Sequence, residues 1–257
     1  MSTNLFKVSL FAIVFLTLQG ISCAAAETIS QLNSPVPSLP FKASCEEFLK
    51  RNDIEDAHDC NVSGSGTFGN LDDRLYYYVL YCIIPEYSSE VAKCGDESFS
   101  ANYYNARGLG IFVQGGSSKQ AQLFLERGTD DIGLYIYEKP RIVQNSYGTF
   151  LHVPIRFDGT GFFNDSEYYV WDRNSREWKL LDSKSWTEEL NKRLPAGSSI
   201  NTGIWPNLQT MTAESHLYRE DDANASPSGG TAIVKLTLQG RRFTIKSVEF
   251  KHDERKE

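Results

Sequence analysis

The sequence predicts a β-rich α+β fold: an antiparallel meander sheet, forming a sandwich or an open barrel, with one or two short helices packed on it. Short runs of β-branched and aromatic residues recur along the middle of the chain, separated by turns rich in Gly, Asp and Ser. The aromatic content is also high, at 13 Tyr, 15 Phe and 4 Trp in 257 residues. Aromatic side chains favour strands and large buried contacts.

The positions of the apolar runs and of the turns between them predict where each strand begins and ends. The Gly/Ser/Asn tract over residues 62–70 predicts a break in the chain, and Pro85 ends the first clear strand. A closing hairpin turns at Gln239 and Gly240. The predicted strands are 74–84, 109–114, 121–126, 132–137, 149–157, 167–172, 177–181, 231–238 and 242–251.

Two segments have helical spacing instead. Ser44 with Glu47 three residues later is a capping-box pattern, which predicts a short helix before Cys60. Residues 182–194 place Trp186, Leu190 and Leu194 four residues apart. That spacing predicts an amphipathic helix whose apolar stripe packs on the sheet.

The N-terminal residues have the features of a secretory leader. A basic start at Lys7 precedes an apolar run over residues 8–18 and the small residues Ala24 to Ala26. The apolar run is much shorter than the roughly 20 residues that cross a bilayer. The predicted organisation is a signal peptide over residues 1–26, a Pro/Ser-rich linker over 27–40 and a single disulfide-containing β-rich domain over 41–257.

The five cysteines agree with removal of a leader. Cleavage after Ala26 removes Cys23 and leaves an even number of thiols, as an oxidising compartment favours. Of the three possible connectivities, the prediction is Cys45 with Cys60 and Cys82 with Cys94, because each pair closes a short loop. The alternative is a lipoprotein anchored through Cys23, although Gly20 stands where such sites normally have an aliphatic residue.

Composition and motifs exclude several functions. The formal net charge of -7 argues against binding nucleic acid or anionic lipid. The histidines have no metal-ligand spacing, and no Gly-x-Ser-x-Gly elbow is present. The sequence therefore predicts no catalytic residue, no cofactor and no metal site.

Aromatic residues are the remaining candidates for recognition. Tyr168, Trp171, Trp178 and Trp205 form a possible aromatic surface for a sugar or a peptide. Strand alternation, however, puts Tyr169 and Trp171 on one face and Tyr168 on the other. Packing in the core, with one face covered by the second helix, is the favoured interpretation.

A series of short motifs marks the C-terminal half: Trp171, Asp182-Ser183-Lys184-Ser185-Trp186, Lys192-Arg193-Leu194-Pro195, Gly203-Ile204-Trp205-Pro206, Met211-Thr212-Ala213 and the segment from Asn224 to Gly230. Over residues 158–250 the chain resembles an uncharacterised family of secreted and periplasmic proteobacterial proteins. In that family the Asn and Pro of the last motif usually flank two adjacent cysteines, whereas here these positions are Ala225 and Ser226. The resemblance implies an exported β-rich protein and no particular activity.

Together these features predict an exported, non-catalytic envelope protein that binds an unknown envelope protein or glycan in the periplasm or outside the cell. No nucleic acid and no transmembrane segment is expected after removal of the leader. The alternative is an envelope hydrolase acting on glycan or peptide, because carboxylates from separate strands could converge in the fold.

Overall fold

The computed structural model describes residues 44–54, 57–85, 107–128, 135–157 and 163–252. Within these ranges it contains thirteen strands, all paired antiparallel, and two short helices. The predicted β-rich α+β class is confirmed. The predicted leader and linker, Cys23 and Cys94 lie outside the described residues.

The first sheet has four strands in sequential order: β1 (Ala57–Leu71), β2 (Arg74–Pro85), β3 (Gly108–Gly115) and β4 (Gln122–Gly128). The break predicted over residues 62–70 is wrong, because this tract lies inside β1. The strand is at the edge of the sheet, and its three register shifts against β2 leave His58, Ser63 and Phe68 as the unpaired residues of bulges, while the glycines pair with β2. Asp72 and Asp73, both with positive φ, form the tight turn to β2.

The next strands form two sheets. The strands are β5 (Tyr135–Tyr137), β6 (Arg141–Asn145), β7 (Gly148–Val153), β8 (Ile155–Phe157), β9 (Glu167–Asp172) and β10 (Glu177–Leu180). The second sheet has the order β10-β9-β7-β6, and β5 pairs with β8 in a small separate sheet. The strand predicted over 149–157 is divided at Pro154, which has no N–H for a ladder. The prediction missed β6.

The third sheet consists of β11 (Thr212–Leu217), β12 (Gly230–Gln239) and β13 (Arg242–Lys251). The closing hairpin is confirmed, and its turn contains Gly240 with positive φ. The prediction missed β11, whose sequence Thr-Ala-Glu-Ser-His-Leu carries few apolar residues. Its alternating burial shows that Ala213 and Leu217 face the core.

Both predicted helices are present. Helix α1 (Cys45–Arg51) begins after Ser44, whose hydroxyl accepts a hydrogen bond from the Glu47 N–H at 3.3 Å, as the capping pattern predicts. Helix α2 (Ser185–Asn191) is shorter than the predicted span of 182–194. The Asp182 carboxylate accepts hydrogen bonds from the N–H groups of Lys184 and Ser185 and so fixes its start.

The elements stack in layers with three cores between them. An outer core lies between α1 and the first sheet, and an inter-sheet core lies between the first and second sheets. A helix-side core joins the other face of the second sheet to α2 and the third sheet. The second sheet is therefore covered on both faces, with Tyr169 and Trp171 in the inter-sheet core and Tyr168 in the helix-side core. The alternation predicted for β9 is confirmed.

Two glycines let α1 approach the first sheet closely. Phe48, the buried residue of α1, lies directly over Gly108 in β3 and Gly128 in β4. A Cβ atom at Gly108 would come within 2.3 Å of the Phe48 ring, and one at Gly128 within 2.7 Å. Any larger residue at Gly108 would therefore displace α1 from the sheet.

A disulfide attaches the same helix to β1. Cys45 and Cys60 are bonded, with their Cα atoms 5.8 Å apart and a sequence separation of 15. A loop of this length contributes about 3 kcal/mol in the chain-entropy model. Cys82 is also disulfide-bonded. Because Cys94 is outside the described residues, its pairing with Cys82 stays a prediction.

Candidate functional site

A cleft of about 600 Å³ opens between the first sheet and the β9–β10 hairpin. We call it the aromatic cleft. The first sheet contributes Arg74, Gln122 and Phe124, among others, and the hairpin contributes Trp171, Glu177 and Trp178. The cleft lies where the inter-sheet core reaches the surface, so that apolar rings and charged side chains line the same space.

Two indole rings form the buried side of the aromatic cleft. Trp171 and Trp178 pair across β9 and β10, with ring centroids 5.1 Å apart in an edge-to-face arrangement. The Trp171 indole N–H donates to the Asp72 carboxylate at 3.2 Å, and the Trp178 indole N–H donates to the Tyr76 hydroxyl at 3.2 Å. Because both indole N–H groups have partners, the rings are held in fixed positions.

Arg74 lies over this aromatic base. Its guanidinium carbon is 5.6 Å from the centroid of the Trp171 ring, within cation–π distance. One guanidinium nitrogen donates to the backbone carbonyl of Arg176 at 3.2 Å. Burial raises the pKa of the neighbouring Tyr76 hydroxyl, although the hydrogen bond from Trp178 and the charge of Arg74 partly oppose this effect. The guanidinium is thus oriented by the Trp171 ring and the Arg176 carbonyl.

The other charges of the aromatic cleft are paired. Arg176 forms an ion pair with Asp72 at 3.6 Å, and Glu177 forms one with Lys179. The hydrogen bond from Lys179 lowers the pKa of Glu177, so this carboxylate is ionised at neutral pH. Among the residues that the structure describes, no carboxylate lies within 4.0 Å of the Arg74 guanidinium.

The outer wall of the aromatic cleft is apolar and exposed. Leu123 is 44% exposed and Phe124 is 37% exposed, although both belong to β4. In the pairing with β3, the partners Ile111 and Phe112 are adjacent, whereas Leu125 and Leu123 are separated by Phe124. Phe124 is therefore the extra residue of a β-bulge, a device that redirects a side chain.

The predicted aromatic surface does not exist as one surface. Tyr168, Trp171 and Trp178 are only 1%, 6% and 9% exposed, and Tyr168 lies on the opposite face of β9 from Trp171. The physical reason is that the second sheet is covered on both faces. Only the rims of Trp171 and Trp178 reach the aromatic cleft, and Trp205, at 37% exposure, lies elsewhere.

Trp205 lines a second cleft of about 460 Å³, together with His152, Glu138 and Arg156. The His152 ring stacks on Tyr168 at a centroid distance of 4.7 Å, and its buried Nε2 has no hydrogen-bond partner among the described residues. Burial, followed by the charge of Arg141, lowers the pKa of His152 to about 4. Glu138 is paired with Arg156 at 3.1 Å, and in the part of the chain that the structure describes no carboxylate accepts a hydrogen bond from the imidazole, as a general base would require.

A polar cluster joins the two facing sheets beside the aromatic cleft. Arg127 of β4 donates two hydrogen bonds to the Glu167 carboxylate of β9, at 2.7 and 3.0 Å, and the Tyr169 hydroxyl donates to the same carboxylate. Burial, followed by the hydrogen bond to Glu167, raises the pKa of Tyr169. Because the carboxylate is fully engaged by its neighbours, we assign this cluster to structural support.

Metal ligands do not cluster in the described part of the chain: no group of three or more His, Cys, Asp or Glu side chains there could hold an ion. Within the same ranges, no helix has the length and apolar character that a membrane crossing needs. A comparison with known protein families and with curated proteins found no match.

Sequence reasoning missed Arg74 and Phe124 as site residues. Arg74 is the first residue of β2 and stands 97 positions before Trp171 in the numbering, so no local pattern connects the two. Phe124 falls in an apolar strand and has the pattern of an ordinary core residue. Only the register shift between β3 and β4 shows that Phe124 is the extra residue of a bulge and that its side chain is turned outward.

Proposed function

We propose that this protein is an exported, non-catalytic binding protein of the cell envelope that holds its ligand, an envelope glycan or protein, in the aromatic cleft. The observation that supports this most directly is the combination of an exposed apolar wall at Leu123 and Phe124 with an oriented, unneutralised Arg74. Ligand sites are typically concave and mostly apolar, with a few polar groups that fix orientation.

The charges in the aromatic cleft favour binding over hydrolysis. Glycoside hydrolysis uses two carboxyl groups, one of them protonated as a general acid. Of the residues that line this cleft, Glu177 is the single carboxylate, and its lowered pKa keeps it ionised. The alternative of an envelope hydrolase therefore has no specific observation in its favour.

An exported location is the second part of the proposal. Disulfides form and persist in oxidising compartments, and the Cys45–Cys60 bond is compatible with the periplasm or the exterior. The predicted leader and the C-terminal motifs support the same compartment. The motifs also support membership of the secreted family that the chain resembles. A lipid anchor on Cys23 is the alternative form of export.

The test is a binding measurement that also locates the ligand. The exported full chain is labelled with ¹⁵N and titrated with short envelope glycans and with peptides from envelope proteins, while amide shifts are followed. We expect saturable shifts around Arg74, β4 and the β9–β10 hairpin. The variant Phe124→Ala should weaken binding, whereas the control Phe163→Ala, an exposed Phe outside this cleft, should not.

Two results would contradict the proposal. Saturable shifts confined to the cleft around Trp205 would assign binding to a different site. Release of new reducing ends or free amines with turnover, lost on replacing Glu177 by Gln, would instead identify a hydrolase.

A further inference from the structure

Arg74 carries the one cationic charge of the aromatic cleft that no described carboxylate neutralises within 4.0 Å. The protein as a whole is acidic, with a formal net charge of -7. An unneutralised arginine in a cleft of an acidic protein favours a negatively charged group of the ligand at that point. The planar guanidinium fork matches a carboxylate in particular, because two parallel N–H donors reach its two oxygens.

The neighbours of Arg74 prepare it for this contact. The guanidinium carbon lies 5.6 Å from the centroid of the Trp171 ring, and the Arg176 carbonyl accepts from one nitrogen at 3.2 Å. A guanidinium has five N–H donors, so several remain for a ligand. Because the side chain is already oriented, little conformational entropy is lost when the ligand binds.

The charges in and beside the aromatic cleft favour a ligand group with one negative charge over a group with two. Glu177 lines the same cleft, and Asp72 accepts from the Trp171 indole at 3.2 Å. A monoanionic carboxylate balances the free charge of Arg74. A phosphate, which carries close to two charges at neutral pH, would add repulsion from these carboxylates.

The wall of the cleft favours a saccharide over an extended peptide. A peptide that adds to a sheet edge needs a regular row of free backbone groups, and the bulge at Phe124 interrupts that row in β4. Arg127 further links the end of β4 to Glu167 of β9. The exposed Phe124 ring offers a flat apolar face, and Gln122 lies beside it with an amide for hydroxyl groups.

We propose that the ligand of the aromatic cleft is an acidic saccharide whose carboxylate binds Arg74 and whose sugar ring packs on Phe124. This proposal rests on the proposed function and adds the chemical class of the ligand. Arg74 is then the residue that distinguishes acidic from neutral sugars.

The experiment compares matched saccharides on the exported full chain by calorimetry. The probes are short oligosaccharides carrying galacturonic, glucuronic or muramic acid, the carboxyl-reduced form of each, a phosphorylated sugar and an acidic peptide. The variant is Arg74→Gln. The control is Arg173→Gln, which removes an equal charge from the turn between β9 and β10 but does not line the cleft.

We expect at least one acidic saccharide to bind at least about tenfold more tightly than its carboxyl-reduced form, as loss of a charge-assisted hydrogen bond implies. Arg74→Gln should abolish that preference and Arg173→Gln should preserve it. Unchanged thermal unfolding of Arg74→Gln would show that the loss is not a loss of fold.

Three results would overturn the inference, and they separate it from the proposed function. Equal binding of acidic and neutral saccharides at the cleft refutes the role of Arg74 but keeps a glycan-binding protein. Arg74-dependent binding of only the peptide or the phosphorylated sugar refutes the ligand class. If no saccharide carrying a carboxylate binds, the inference fails, and binding of another ligand in the cleft would still support the proposed function.

Discussion

The surroundings of His152 oppose a positive charge on its imidazole. Its ring is stacked on Tyr168, its Nε2 has no hydrogen-bond partner among the described residues, and burial lowers its pKa to about 4. Glu138, Arg141 and Arg156 line the same cleft, and the charge of Arg141 further disfavours protonation. The folded protein therefore contains a neutral imidazole at mildly acidic pH, where an unfolded chain would bind a proton.

This difference predicts a pH-dependent stability. The unfolded pKa of histidine is about 6.5, so the unfolded chain binds more protons than the folded protein between that value and about 4. Stability is thus retained above this window and lost as pH falls through it, by about 2 kcal/mol at pH 5. Urea unfolding of the wild type and of His152→Gln at about pH 7.5 and pH 5 measures this change in the free energy of unfolding.

The variant should lose this part of the pH dependence, and the control His216→Gln, on the exposed face of β11, should retain it. An equal pH dependence in the wild type and His152→Gln would contradict the assignment to His152.

At the scale of the element, α2 is held by the side chains that its spacing predicts. Trp186 is 1% exposed and Leu190 is fully buried, and both pack in the helix-side core with Tyr168 and Phe243, with Leu194 partly buried beside them. The predicted stripe is thus confirmed for Trp186 and Leu190, whereas Leu194 lies beyond the end of α2. It contacts the Tyr168 face of β9, whereas Trp171 and Trp178 lie on the other side of the second sheet.

Trp186→Ala should therefore lower the free energy of unfolding by about 3 to 5 kcal/mol, the usual cost of truncating a buried Trp. Chemical denaturation measures the loss directly. Trp205→Ala is the matched control, because Trp205 is 37% exposed and should lose less than about 1 kcal/mol. Equal losses in the two variants would show that Trp186 is not the central residue of that core.

The elements differ in how far local sequence predicts them. Strands β2 and β9 are rich in aromatic and β-branched residues, and α2 has clear helical spacing, so each could be predicted from its own residues. By contrast, β1 contains mostly small and polar residues and is a strand because β2 supplies a backbone partner along its length. That partner is not part of the local pattern.

At the scale of the whole molecule, the aromatic cleft could not be predicted, because it forms where two sheets meet. Its wall comes from β4, its cation from β2 and its aromatic base from β9 and β10. The sequence predicts that Trp171 and Trp178 lie close together, since they fall in consecutive strands. It does not indicate that Arg74 and Phe124 lie beside them.

The proposed export predicts that every cysteine of the mature protein is disulfide-bonded. Alkylation of the unfolded, unreduced exported protein should label no cysteine, and peptide mapping should link Cys45 with Cys60 and Cys82 with Cys94. N-terminal sequencing should begin at Glu27. Crossed links would contradict the second pairing while preserving the compartment, and a mature chain that begins with a diacylated Cys23 would indicate a membrane anchor instead.

The central position of the second sheet has a consequence for its alignment. A slip of one residue exchanges the two faces of a strand, and in most sheets this exposes apolar side chains. Here both faces of β9 are covered, with Tyr168 on one side and Tyr169 and Trp171 on the other, so hydrophobicity alone distinguishes the two alignments poorly.

Hydrogen bonds from aromatic and charged side chains distinguish the native alignment of β9 from one slipped by a residue. The contacts from Arg127 to Glu167 and from the Trp178 indole to Tyr76 exist in one alignment of the strands only. Replacing Arg127 by Met and Trp178 by Phe should therefore give more than one set of amide resonances for β9, although nearly the same apolar area stays buried. A single set of resonances with only a lower melting temperature would mean that packing alone aligns the sheet.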